Sequence, residues 1–186
     1  MKEPLQRVME QKKFVAFLCT KTGARHHYEE SMKLLNFELS SPSFSIELIG
    51  LNFVWDLHNS GTFLGMNLDP NSNVAILSWR VTGHPAVKYS GCNLVFKGLK
   101  LMVVSARDQE LPFSEDLCIS GVSKIVPDQT REPQYRTKRE WHEGDPFHLL
   151  FEFQSRRSVE IDAEAVELVG VSKSPESLRR TDRTIL

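Results

Sequence analysis

From Ser43 onward, apolar side chains recur at every second position, the repeat that puts them on one face of a β-strand. Phe44, Ile46 and Leu48 alternate with Ser45, Glu47 and Ile49, and Phe53 to Leu57 reads as another short strand. Leu64, Met66 and Leu68 precede the turn Asp69-Pro70-Asn71-Ser72-Asn73, and Ala75, Leu77, Trp79 and Val81 follow it, which predicts a hairpin from Thr62 to Val81. Gly83, Pro85 and Gly91 mark residues 82–91 as a loop. Leu94 and Phe96 open a further strand that Leu99, Leu101 and Val103 continue, with Gly98 as a bulge or bend. Residues 108–116 read as a polar loop, and Leu117, Ile119 and Val122 as a strand broken by Gly121. Phe147, Leu149, Phe151 and Phe153 form the clearest strand; after the Ser155–Ser158 turn, Val159 and Ile161 return, and Val166 and Leu168 extend the sheet.

The first 42 residues follow another rule. Residues 5–18 fit helix or strand. Tyr28, Met32 and Leu35 recur at i, i+4 and i+7, and Glu29 precedes Lys33 by four, so a short helix from His27 to near Asn36 is expected. The chain then reads as mainly β, an antiparallel β-sandwich or open barrel with a short N-terminal helix. It divides into an appendage at 1–42, an antiparallel β domain at 43–170 and a flexible tail at 171–186. Residues 127–146 form a long loop inside the domain, and such loops are either functional or disordered.

Length and composition fit one globular domain with appendages: 186 residues, 40% apolar and 25% charged. With 23 basic and 24 acidic side chains the formal charge is -1, which argues against a duplex nucleic-acid partner. Cys19, Cys92 and Cys118 are odd in number and widely spaced, a poor framework for disulfides or zinc, and they read as reduced thiols. The apolar run Phe14–Cys19 is too short to span a membrane and sits late for a secretory signal. A cytoplasmic protein with no membrane partner is expected.

Candidate chemistry is sparse. Asp56 and His58 share a strand face, where a carboxylate beside an imidazole could orient a base or ligate a metal if His84, His142 or His148 joined them. The plainer reading is a surface pair beside a turn. His142-Glu143-Gly144-Asp145 lacks the helical HExxH spacing, because Pro146 stands where the second histidine belongs. His26 and His27 are adjacent, so one ion could not readily use both. Cys118 has apolar neighbours that would raise its pKa and leave it inert. There is no GxSxG, no P-loop and no GxGxxG, so no catalytic residue and no cofactor is assigned. Within the long loop, Arg131, Arg136, Lys138 and Arg139 interleave with Tyr135 and Trp141. Arg, Tyr and Trp supply binding hot spots, so Tyr135, Arg136, Arg139 and Trp141 are the partner-binding candidates. A solvated loop whose Trp141 packs on the sheet edge fits equally well. Single-stranded nucleic acid comes third, because Glu132, Glu140, Glu143 and Asp145 dilute the charge.

Trp55-Asp56-Leu57-His58, Leu94-Val95-Phe96-Lys97-Gly98-Leu99, Leu149-Leu150-Phe151-Glu152-Phe153-Gln154 and Val159-Glu160-Ile161 occur in an order that resembles small cytoplasmic β-rich bacterial proteins. Some of these are grouped as immunity proteins of contact-dependent toxin systems. The resemblance spans residues 53–168 apart from the 127–146 loop. It implies a non-enzymatic domain that binds and blocks one protein, and it carries over no catalytic residues. The expected function is thus a protein-binding, inhibitory or immunity module. The alternative is a small metal-dependent β-barrel enzyme or ligand binder using Asp56 and His58.

Overall fold

The computed structural model describes residues 31–82, 88–127 and 138–173. Eleven strands are set out among them: β1 (Lys33–Leu35), β2 (Phe37–Leu39), β3 (Glu47–Gly50), β4 (Phe53–Asp56), β5 (Gly61–Asp69), β6 (Val74–Val81), β7 (Tyr89–Val104), β8 (Ile119–Pro127), β9 (Lys138–Glu140), β10 (His148–Phe153) and β11 (Ser158–Ser172). One 3₁₀ turn, Phe113–Leu117, closes the expected polar loop and includes Leu117, which alternation places in the next strand; that strand opens at Ile119. The fold is mainly β, as the alternation predicts, and takes the form of a curled, largely antiparallel sheet that makes a half-barrel.

The large sheet runs β5-β6-β7-β11-β10-β8-β9, and β2-β3-β4 form a second, smaller sheet. The Thr62–Val81 hairpin is present as β5 and β6. Phe147, Leu149, Phe151 and Phe153 all point into the core. There Phe151 lies 6.0 Å from Trp79 and 6.1 Å from Phe96, and Phe153 lies 4.9 Å from Phe63. Aromatic pairs at this spacing add to what burial of their area contributes.

The expected helix is corrected where the structure describes it. Lys33–Leu35 is a strand that pairs in parallel with Ala165–Glu167 of β11. A three-residue stretch has little helix propensity of its own to lose, and an open flank of a fifteen-residue strand offers it ladder hydrogen bonds instead. Asn36 then turns the chain with φ +59, and its side-chain oxygen accepts the Leu168 N–H at 3.2 Å. The earlier part of the expected helix lies outside the described residues. The boundary drawn at residue 43 falls between β2 and β3, which are hydrogen-bonded neighbours, and Phe37 and Leu39 belong to the core.

Two devices join and bend the sheets. Residues 42–45 run beside β8: the Ser45 and Val122 backbones exchange hydrogen bonds of 2.7 and 2.8 Å, and Lys124 N–H reaches Pro42 O at 2.8 Å. The Phe44 ring covers Gly121, where a Cβ would lie 2.2 Å from a ring carbon, so only glycine leaves room for that seat. Gly98 stands at φ +63 in β7, and the β7–β11 register shifts two residues on, where Lys100 is the extra residue between Leu99 and Leu101. Buried Phe96 and Leu99 are three residues apart, and so are buried Ala163 and Val166 on β11. Both strands therefore change the face they bury at one level, and the sheet bends there.

Candidate functional site

Asp56 closes β4 as a turn anchor. Its Oδ1 accepts the backbone N–H groups of His58 (3.1 Å) and Asn59 (2.8 Å), and its Oδ2 accepts Asn59 Nδ2–H at 2.8 Å. Partial burial works to raise its pKa, but the bonds from Asn59 and His58 outweigh it and hold the carboxyl below the ordinary 3.8. His58 turns the other way: its Nδ1–H donates to Ile119 O at 2.6 Å, with Cys118 Sγ at 3.8 Å from the same nitrogen. Asp56, His58 and Cys118 are neighbours, yet they do not form a nucleophilic triad. The carboxylate holds backbone rather than imidazole, and burial together with Glu115 raises the Cys118 thiol. Among the described residues no group of three or more His, Cys, Asp or Glu side chains is arranged to hold a metal ion. His84, the third ligand nearest in sequence, lies outside the described residues.

Because the folded pKa of Asp56 is lowered, its contribution to stability is present above the unfolded value and fades as pH falls through the folded one. Asp56→Asn keeps an oxygen acceptor but removes the charge. The stability gap between wild type and Asp56→Asn is therefore expected to be widest near neutrality and to shrink below about pH 4. Urea midpoints at pH 6.5 and 3 check this; an unchanged gap would show that the charge is idle.

Trp141 is committed within the fold. Its ring packs edge-on against Phe147 at 6.1 Å, its Nε1–H donates to Asp145 O at 2.7 Å, and Lys124 Nζ sits 4.3 Å above it. Burial against these rings lowers the Lys124 pKa. Of the other loop candidates, Tyr135 and Arg136 lie outside the described residues, and the backbone of Arg139 belongs to β9. His142 contacts Asp145 at 3.8 Å in an exposed turn.

Two features escaped the sequence reading. On the sheet face opposite the aromatic core, His148 is buried with Glu160 and Asp162. Its Nδ1 lies 2.9 Å from Glu160 Oε1 and its Nε2 3.6 Å from Asp162 Oδ2. A histidine and two acids out of phase with the apolar residues of antiparallel neighbours was the signal, and alternation alone assigns such positions to solvent.

The second is a groove beside the β3–β4 hairpin. Its volume is about 880 Å³, and Ile49, Leu51, Phe53, Val54 and Val81 give it an apolar lining, with Asp56, Ser60 and Thr82 at its polar end. Volumes of this order suit ligands and peptide segments. Leu51 and Asn52 make the two-residue turn, both with positive φ (+56 and +61). That is the primed hairpin geometry which glycine and asparagine favour and leucine resists. The turn makes Gly50 and Phe53 the closing pair, so Leu48 and Trp55 exchange the next backbone bonds. The N–H and C=O of Val54 thus point away from β3, on the side of β4 that pairs with no other strand among the described residues. Ile49 and Val54, paired in register, are 39% and 48% exposed. Compared with protein-family models, curated proteins and solved structures, the chain matches none.

Proposed function

We propose that this chain is a non-enzymatic protein-binding module, of the blocking or immunity kind that the resemblance implies, and that it takes an extended segment of its partner along the edge of β4. The observation that carries this reading is the β4 edge itself: outward backbone groups at Val54, an exposed apolar pair beside them and an apolar groove alongside. An added strand would gain main-chain hydrogen bonds from the edge and side-chain pockets from the groove. The work done by Asp56, His58 and Trp141 inside the fold also favours binding over catalysis. No helix among the described residues is long and apolar enough to cross a membrane. The free thiols of Cys92 and Cys118 suit a reducing compartment, and the cytoplasm is the proposed place of action.

A photoreactive benzoylphenylalanine in place of Val54 tests the site directly. Irradiated in cells, it is expected to give one discrete adduct. The same residue in place of Phe113, which is 77% exposed on the 3₁₀ turn, should give none. Adducts at both positions, or at neither, would remove the β4 edge as the binding site.

A further inference from the structure

The outward face of the small sheet carries a charge pattern as well as an apolar one. Leu48 and Trp55 point inward, so Glu47, Ile49, Val54 and Asp56 point outward. The register sets Glu38 beside Ile49, Ile49 beside Val54, and Glu47 opposite Asp56. Two acidic residues therefore stand in cross-strand register on β3 and β4, with the Asp56 carboxylate turned to the N–H groups of His58 and Asn59. Among the described residues no cationic side chain forms an ion pair with Glu38, Glu47 or Asp56. Elsewhere on the surface acids do find cations, as Glu167 does with Lys97 at 2.6 Å and Asp108 with Arg156 at 3.1 Å.

We infer that the segment taken by this face is basic as well as apolar: an extended strand beside β4 that lays an apolar side chain against Val54, with Ile49 behind it, and sets a lysine or arginine beside Asp56, long enough to reach across β4 toward Glu47. This rests on the strand-addition reading and narrows its partner to one chemistry. Alternation along the added strand puts every second side chain over the face, so the recognised pattern is apolar and basic residues two positions apart. Neither acid has an ion-pair partner among the described residues, so the cation would displace none. Complementary charge also orients the approach, and it makes binding sensitive to salt.

Three fluorescein-labelled twelve-residue peptides, read by anisotropy against the full chain, test it. All carry valine at the position beside Val54; the position beside Asp56 is lysine, serine or glutamate. The lysine peptide is expected to bind best, to weaken between 50 and 500 mM NaCl, and to lose about fivefold in affinity on Glu47→Lys. The variant Glu143→Lys, a charge reversal in an exposed turn outside the β3–β4 hairpin, should leave binding unchanged. If the serine peptide binds as tightly as the lysine one, with no salt dependence, the basic partner is overturned while strand addition stands. If none binds and Val54 gives no adduct, strand addition fails with it. If the chain instead forms a dimer that Glu47→Lys dissociates, the occupant is a second copy and the basic-peptide assignment is overturned.

Discussion

His148→Leu is expected to lower the stability of the domain by about 3–5 kcal/mol, a large fraction of what a domain of this size has. The imidazole stands between Glu160 at 2.9 Å and Asp162 at 3.6 Å, and all three side chains are almost wholly buried. Leucine fills much of the same space, so the loss is not a cavity effect. It arises because two buried carboxylates lose their shared neighbour and cannot regain water. Lys100 lies 4.0 Å from the far oxygen of Asp162, and both acids keep other contacts, which places the loss toward the lower end of that range. Urea denaturation of His148→Leu, Glu160→Leu and the double variant gives the coupling. The double variant is expected to lose clearly less than the two single losses added, by roughly 1–3 kcal/mol. Additive losses, or a His148→Leu loss below about 1 kcal/mol, would show that the three groups do not act as a unit.

That cluster shows where the sequence was readable and where it was not. The existence of β5, β6, β10 and the start of β11 follows from alternation, although β10 and the start of β11 bury their second face as well and β5 buries Phe63 while Leu64 is exposed. The parallel pairing of β1 on β11 was hidden, because three residues carry no period and their partner is 132 positions away. Alternation also failed at Lys100. Read straight through, Leu99, Leu101 and Val103 share a face with one another; in the structure Leu99 and Met102 are the buried pair. A register shift is a tertiary event: its extra residue, Lys100, is unmarked in the sequence, and Gly98 stands two positions before it. The candidate site was less legible still. For Trp141 the pattern leaves partner binding and packing on the sheet edge equally open; Phe147, Lys124 and Asp145 occupy its ring and its N–H. The groove went unseen because Leu51-Asn52 lacks the glycine of a common hairpin turn, and because Val54 reads as an ordinary strand residue until the register shows which way its backbone points.

Trp55→Ala is expected to be as damaging as His148→Leu, at about 3–5 kcal/mol, and to remove the binding edge as well. Trp55 is fully buried on the inner side of β4. Its ring lies 5.0 Å from Phe53 and 5.3 Å from Tyr89 at the start of β7, and its Nε1–H donates to Gly50 O at 3.0 Å. One side chain thus fastens the hairpin to the large sheet and also spans the strained turn that shapes the groove. The two roles can be separated. Trp55→Phe keeps most of the ring contact but leaves Gly50 O without its donor, so it should cost about 1 kcal/mol and loosen mainly the turn. Trp55→Ala should free the whole hairpin. The photoreactive residue at position 54 reads the difference, at a temperature where far-UV circular dichroism shows each variant still folded. The adduct should persist in Trp55→Phe and vanish in Trp55→Ala. Were the adduct to survive in a folded Trp55→Ala protein, the edge would not depend on the packing beneath it, and the groove would be a consequence of the hairpin rather than of its seat on the half-barrel.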